Sequence, residues 1–243
     1  MAETIIGRNA VLEALKGNRE IEKITLAKGA EGSVKQIVAK ARDRHIPIYY
    51  SDKARMDKAA SGGVHQGVIA VVSDYKYCTV DDILARAAQR GEDPFIIILD
   101  GLEDPHNLGA IMRTAECAGV HGIVIPKRRS VSVTETVAKT SAGAVEYMLC
   151  AKVTNIANEI EKLKEKGVWI GACDMGPDLY YRQDLKGPIA IVIGAEGAGI
   201  SRLVKEKCDF VVSIPMKGNI TSLNASNAAS ILMYEVVRQR MDI

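Results

Sequence analysis

Cysteine, histidine and aromatic residues are scarce in this chain of 243 residues, which holds five Cys, four His, eight Tyr, two Phe and one Trp. The cysteines, Cys78, Cys117, Cys150, Cys173 and Cys208, include no C-x-x-C pair and are odd in number. That pattern excludes both zinc-finger spacing and a disulfide framework, and each reads as a buried thiol. His106 stands near Glu103 and Asp104 on one stretch without the spacing of a tetrahedral site, so no metal is expected. Long apolar runs are missing as well. Phe95–Leu99 and Ile189–Ile193 fall far short of the about 20 residues a membrane helix needs, so the chain is not expected to span a bilayer. Glu3 interrupts the N-terminus and no apolar h-region follows, which argues against a signal peptide and for a cytoplasmic protein. An excess of one charge is absent too, with 32 Lys/Arg against 30 Asp/Glu.

What remains is an ordinary globular composition, 47% hydrophobic and 26% charged. A chain of this length can bury roughly 70–75% of its unfolded surface, enough for one or two domains without covalent staples. The charge is uneven. Residues 1–75 carry 12 basic against 9 acidic side chains and the rest 20 against 21, a weak pointer to a nucleic-acid-facing first part that a solvated surface also satisfies.

Residues 1–73 read as a small α/β unit with helices over Arg8–Lys16, Ser33–Arg44 and Asp52–Ala60 and strands over Ile21–Ala27, Ile46–Tyr50 and Gln66–Val72. Val34, Ile37, Val38 and Ala41 show helical spacing. Residues 74–79 read as a linker. From Val80 to 243, strands and helices alternate over longer stretches. Phe95–Leu99 and Ile189–Ile193 are continuously apolar, the signature of strands covered on both faces, and a parallel sheet flanked by helices follows. Ligands of such sheets bind outside the carboxyl ends of the strands, which directs attention to the loops after Leu99, Ile193 and Ile214.

The first of these loops runs Asp100 to Gly109 and enters a helix with core face Leu108, Ile111, Met112, Ala115 and Ala118. Asn107 can cap that helix, and Arg113 can pair with Glu116 on its surface. The second, Gly194-Ala195-Glu196-Gly197-Ala198-Gly199, is not G-x-G-x-x-G; its glycines allow close backbone approach, and Glu196 is either a helix-entry acid or a ligand-facing group. The third, Ile214 to Asn227, crowds Thr221, Ser222, Asn224, Ser226 and Asn227 before the C-terminal helix, more small polar residues than a single N-cap at Ser222 requires.

Taken jointly, Asn-x5-Arg at Asn107 and Arg113, G-x-E-G around Glu196, and I-P-M followed by S-L-N-x-S from Ile214 resemble the SpoU (TrmH-like) branch of the SPOUT RNA methyltransferases over about residues 94–240. Asn227 stands where many relatives carry an apolar residue. The N-terminal unit, ending in Val64-His65-Gln66-Gly67-Val68, resembles the L30e-like RNA-binding domain of the subgroup that methylates large-subunit ribosomal RNA. The resemblance implies an α/β fold with a parallel sheet and a deep trefoil knot, a homodimer, and S-adenosylmethionine as cofactor. It also implies 2'-O-methylation of a ribose, a guanosine in 23S rRNA. By the same resemblance Asn107, Arg113, Glu196, Ser222 and Asn224 serve catalysis, and Gly194, Ile214, Met216 and Leu223 hold the cofactor. A tRNA ribose methyltransferase of the same family and a non-catalytic RNA-binding protein are the competing readings. For the homodimer, Ala225, Ala228, Ala229, Leu232 and Val236 offer a close-packing stripe. For RNA affinity, Arg8, Lys28, Lys35, Arg42 and Arg55 supply basic charge, and His65 with Gln66 either touches RNA or forms a satisfied turn.

Overall fold

The computed structural model describes residues 3–17, 19–30 and 32–241. Two compact units emerge, residues 1–76 together with 133–147, and residues 77–132 together with 148–243.

The first unit carries β1 (Glu3–Ile6), α1 (Arg8–Lys16), β2 (Ile21–Ala27), α2 (Val34–Asp43), β3 (Ile48–Ser51), α3 (Lys53–Ala59) and β4 (Val68–Val72). Its sheet runs in the order β1-β4-β2-β3, with β2 and β3 parallel and the other pairs antiparallel. β1 was not anticipated from the sequence, because its few residues run directly into α1 and show no alternation of their own. α2 buries Val34, Ile37 and Ala41, the expected face. Arg44 donates to the carbonyls of Ala14, Leu15, Gly17 and Arg19, satisfying the open end of α1. His65 is a satisfied turn histidine: its Nδ1 accepts the Gly67 N–H at 2.9 Å and its Nε2 meets Asp57 Oδ1 at 2.9 Å. Within the same unit Arg19 Nη1 lies 3.2 Å from Glu146 Oε1, with both side chains buried.

The second unit begins with α4 (Val80–Arg90), β5 (Phe95–Asp100), α5 (Pro105–Cys117) and β6 (Gly122–Pro126). After α6 (Glu135–Thr140), which belongs to the first unit, come β7 (Cys150–Val153), α7 (Ile156–Glu165), β8 (Trp169–Cys173), β9 (Ile189–Gly194), α8 (Arg202–Lys207), β10 (Phe210–Val212) and α9 (Ala225–Arg240). Every pairing in its six-stranded sheet, β10-β8-β9-β5-β6-β7, is parallel. β5 and β9 lie side by side at the centre, and each is buried along all but its last residue. That is why neither alternates. A 3-10 turn spans Ala144–Glu146, and β7 begins at Cys150.

Three local expectations are corrected. α5 starts at Pro105 with Asp104 as its N-cap, so Asn107 lies inside the helix; proline is favoured in the first turn, where its missing N–H is not needed. α9 starts at Ala225 with Asn224, not Ser222, as N-cap. Only Cys150 is a fully buried thiol; Cys117 is exposed and the other three are half-buried. Burial raises the thiols of Cys78 and Cys173 to about 11 and that of Cys208 to about 12, so none is a poised thiolate. No helix of the described residues is long and apolar enough to cross a membrane.

Candidate active site at the carboxyl edge of the parallel sheet

Because β5 and β9 are neighbours, the loops that leave their carboxyl ends start from adjacent residues, Asp100 and Gly194, which are themselves paired. Asp100 Oδ2 accepts the Ser201 N–H at 2.7 Å and holds the entry to α8, a role the sequence did not signal. Between Gly194 and Ser201 the chain folds back on itself: Ala195 and Gly199 exchange backbone hydrogen bonds of 3.1 and 2.9 Å, with Gly197 and Gly199 at positive φ. A Cβ on Gly194 would lie 2.2 Å from the Gly199 carbonyl carbon and 2.3 Å from the Ile200 nitrogen. What approaches this glycine is therefore the chain's own backbone.

This tight turn presents Glu196 to two asparagines. Asn107, on the third residue of α5 and only 5% exposed, donates through Nδ2 to Glu196 Oε1 at 2.8 Å. Asn224 donates through Nδ2 to the same oxygen at 2.6 Å and to Asn107 Oδ1 at 2.9 Å. The amide orientations follow from the α9 cap. Asn224 Oδ1 faces the Ser226 and Asn227 N–H groups and the Ser226 hydroxyl, and a backbone N–H can only donate, so the acceptor atom must face the helix and Nδ2 must face the site. One residue thus closes the helix and orients the carboxylate. Glu196 Oε2 has no hydrogen-bond partner among the described residues.

The remaining candidates are not drawn into this cluster. Arg113 is exposed on α5 and makes no hydrogen bond or ion pair among the described residues, the expected contact with Glu116 included. Ser222 lies exposed in the loop before α9. From Ile214 to Leu223 no backbone N–H or C=O has a partner among the described residues, while Met216, Ile220 and Leu223 expose apolar side chains beside them. Free main-chain donors and acceptors flanked by apolar groups suit a flat, neutral, hydrogen-bonding ligand. The crowding of small polar residues noted in the sequence is partly structural: Ser226 supports the Asn224 cap, and Ser230 bonds back to the Ser226 carbonyl and across to Thr114 on α5.

Residues 94–234, which include every residue of this cluster, match the model of the SpoU rRNA Methylase family. The chain belongs to that family. Residues 4–78 match a second model, RNA 2'-O ribose methyltransferase substrate binding. Among relatives of this SpoU-family chain, a Bacillus subtilis (strain 168) protein named as a TrmH family tRNA/rRNA methyltransferase, YacO, is 49% identical, the alignment covering 97% of this chain and 95% of the relative. The SpoU methyltransferase AviRb of Streptomyces viridochromogenes, solved in complex with AdoMet, has the same fold, with a TM-score of 0.84 and 23% identity over 100% of this chain and 92% of AviRb. The A. aeolicus TrmH/SpoU tRNA modifying enzyme aligns with only 62% of this chain and 77% of its own, with a TM-score of 0.57 and 28% identity.

Proposed function

We propose that this chain uses S-adenosylmethionine to methylate the ribose 2'-oxygen of a guanosine in 23S rRNA. The observation that carries the reading is the Asn107–Glu196–Asn224 network, whose hydrogen bonds orient one carboxylate and leave its second oxygen free. Residues 4–78 match a substrate-binding model and the tRNA modifying neighbour aligns with only 62% of this chain, which favours an extended rRNA substrate over tRNA. On this reading residues 1–73 are an L30e-like RNA-binding domain, 74–79 a linker and 80–243 the knotted catalytic domain, except that residues 133–147 pack within the first unit, in a cytoplasmic protein.

When bound, S-adenosylmethionine supplies an electrophilic methyl group on a sulfonium. Residues Ile214–Leu223 would hold its neutral ring through main-chain groups, with Met216 and Leu223 as apolar walls and the Gly194 turn shaping the floor. Asn107 and Asn224 keep Glu196 aimed by donating to Oε1. Arg113 binds a phosphate beside the target ribose and stabilises negative charge as the 2'-oxygen gives its proton to solvent water; a guanidinium, effectively never deprotonated, is not itself the base. Ser222 contacts the substrate from the exposed loop.

The active form is a homodimer. The alanine stripe of α9 does not support this, since Ala225, Ala229, Leu232 and Val236 are already buried within their own unit. The support lies instead in Ile220, 76% exposed and not among the cofactor walls, an apolar side chain that a second copy would cover. Sedimentation that yields a monomer at micromolar concentration would refute it.

The test is single-turnover transfer of labelled methyl from S-adenosylmethionine to an rRNA fragment and to tRNA, followed by nucleoside analysis. The expected product is 2'-O-methylguanosine in the rRNA alone. Arg113→Ala should slow transfer by on the order of 100- to 1000-fold, the effect of losing one preorganised donor, with cofactor affinity unchanged and little rescue by Arg113→Lys. Methylation of tRNA alone would overturn the substrate assignment, and a wild-type rate in Arg113→Ala would remove Arg113 from the mechanism.

A further inference from the structure

We propose that Lys127, Arg128 and Arg129, in the loop after β6, form a rim that grips the phosphodiester backbone of the RNA and positions it over the Asn107–Glu196–Asn224 cluster; this rests on the reading of the chain as an RNA methyltransferase. β6 neighbours β5 in the sheet, and the three residues follow Pro126 at its carboxyl end, the edge that carries the site. All three side chains are exposed, and none makes a hydrogen bond or ion pair among the described residues. No Asp or Glu stands between Pro126 and Thr134 to neutralise them.

The loop is anchored at both ends. The Lys127 N–H donates to the Val153 carbonyl at 2.8 Å, and the Val131 N–H donates to the Leu102 carbonyl at 2.7 Å, with Leu102 and Val131 both buried. Leu102 belongs to the stretch between β5 and α5, so the second bond ties the basic loop to the segment that delivers Asn107. Further along, Lys152 Nζ donates to Ser132 Oγ at 2.8 Å and sits 4.1 Å from the centre of the Tyr77 ring. Between its anchors the loop carries Arg129 at φ 54°, a left-handed backbone that a side chain with a Cβ adopts only at a cost.

Other cations of the same unit are engaged locally: Lys162 with Glu159, Lys164 with Asp209, Lys205 with Asp174 and Lys207 with Glu161. Three consecutive cations without an acid, held by a pinned loop beside the candidate site, fit an anionic ligand that extends past the reacting group. A polynucleotide backbone does so, and a guanidinium can hold each phosphate through two parallel bonds.

The test compares the full-length wild type with a Lys127→Ala, Arg128→Ala, Arg129→Ala variant. It measures binding of an rRNA fragment by anisotropy at several salt concentrations, together with KM and kcat for methyl transfer. Kd and KM for RNA should rise at least tenfold, and the slope of log K against log salt should become shallower by about 2, near 0.7 for each lost single-strand phosphate contact. Saturated kcat, S-adenosylmethionine affinity and Tm should stay at wild-type values, because these side chains hold nothing within the fold. Arg128→Glu alone should weaken RNA binding further than Arg128→Ala, and Lys162→Ala, a cation on α7, should change nothing. An unchanged salt slope and KM in the triple variant would overturn the rim. Failure of the wild type to methylate any RNA would instead overturn the functional reading, while the salt slope of RNA binding would still decide the rim.

Discussion

At the amino edge of the parallel sheet, Arg240 donates to the carbonyls of Asp93, Pro94 and Gly187. His121 joins the Phe95 N–H to Glu92, and Gln239 joins the Leu185 N–H to the Gln183 carbonyl. At the carboxyl edge, Glu196 Oε2, the backbone of Ile214–Leu223 and the side chains of Arg113 and Lys127–Arg129 have no partner among the described residues. Both edges are rich in polar groups, but at one all of those named except Arg240 Nε close loops upon each other, and at the other they stay available. One cleft of about 500 Å³ beside Trp169 and Phe210 and another of about 710 Å³ beside Phe95 and Arg240 both open at the amino edge. Open hydrogen-bonding capacity marks the candidate site.

The comparison breaks if the amino edge contributes to chemistry. Arg240→Ala should cost about 3 kcal/mol of stability, because three carbonyls lose their donor and the side chain's packing over the Phe95 ring is lost. The methylation rate per folded molecule should not change. Chemical denaturation alongside an activity assay checks both, and a specific loss of rate would place Arg240 in the reaction.

Asn224 separates the two uses within a single residue. Asn224→Ala removes the cap and should cost about 1 kcal/mol in helix stability. Asn224→Asp keeps an acceptor for the Ser226 and Asn227 N–H groups but turns the atom facing Glu196 into a second anion. Thermal melts should show Asp above Ala, while methyl transfer falls at least tenfold in both. Activity retained in the Asp variant would show that the amide serves the helix alone.

A smaller effect is expected from His121. Burial, opposed by Glu92, pulls its imidazole below the usual range, and Nδ1 must be unprotonated to accept the Phe95 N–H. The unfolded chain therefore takes up the proton first: stability is complete above about pH 6.5 and is lost as pH falls through the lower folded-state value. His121→Gln should flatten that acid limb in melts recorded from pH 7.5 to 5, and an unchanged limb would assign it to other groups. Least of all, Cys117→Ser should shift stability by no more than about 0.5 kcal/mol, as surface substitutions do, whereas Cys150→Ser puts a hydroxyl into a fully buried position and should cost more.

The parallel sheet was legible in the chain because burial on both faces writes itself into consecutive residues: Phe95–Leu99 and Ile189–Ile193 are apolar without a break, and only strands covered twice need that. The glycine turn, the polar crowding before α9 and the family they resemble were equally readable, being local strings. The exact helix starts were not. Asp104 and Asn107, like Ser222 and Asn224, are all acceptable caps by composition, and which one closes a helix depends on where Pro105 begins the turn and on what else claims each side chain. Asn224 is claimed from two sides, by its own helix and by residues far away in sequence. Asn107 lies 89 residues from Glu196 and 117 from Asn224, separations over which no periodicity operates. Only the adjacency of β5 and β9, with α9 packed back against α5, brings those three side chains within hydrogen-bonding distance. It also decides which cations find an acid and which, like Arg113 and Lys127–Arg129, find none among the described residues, because an ion pair needs two side chains within about 4 Å and the sequence alone carries no such distance.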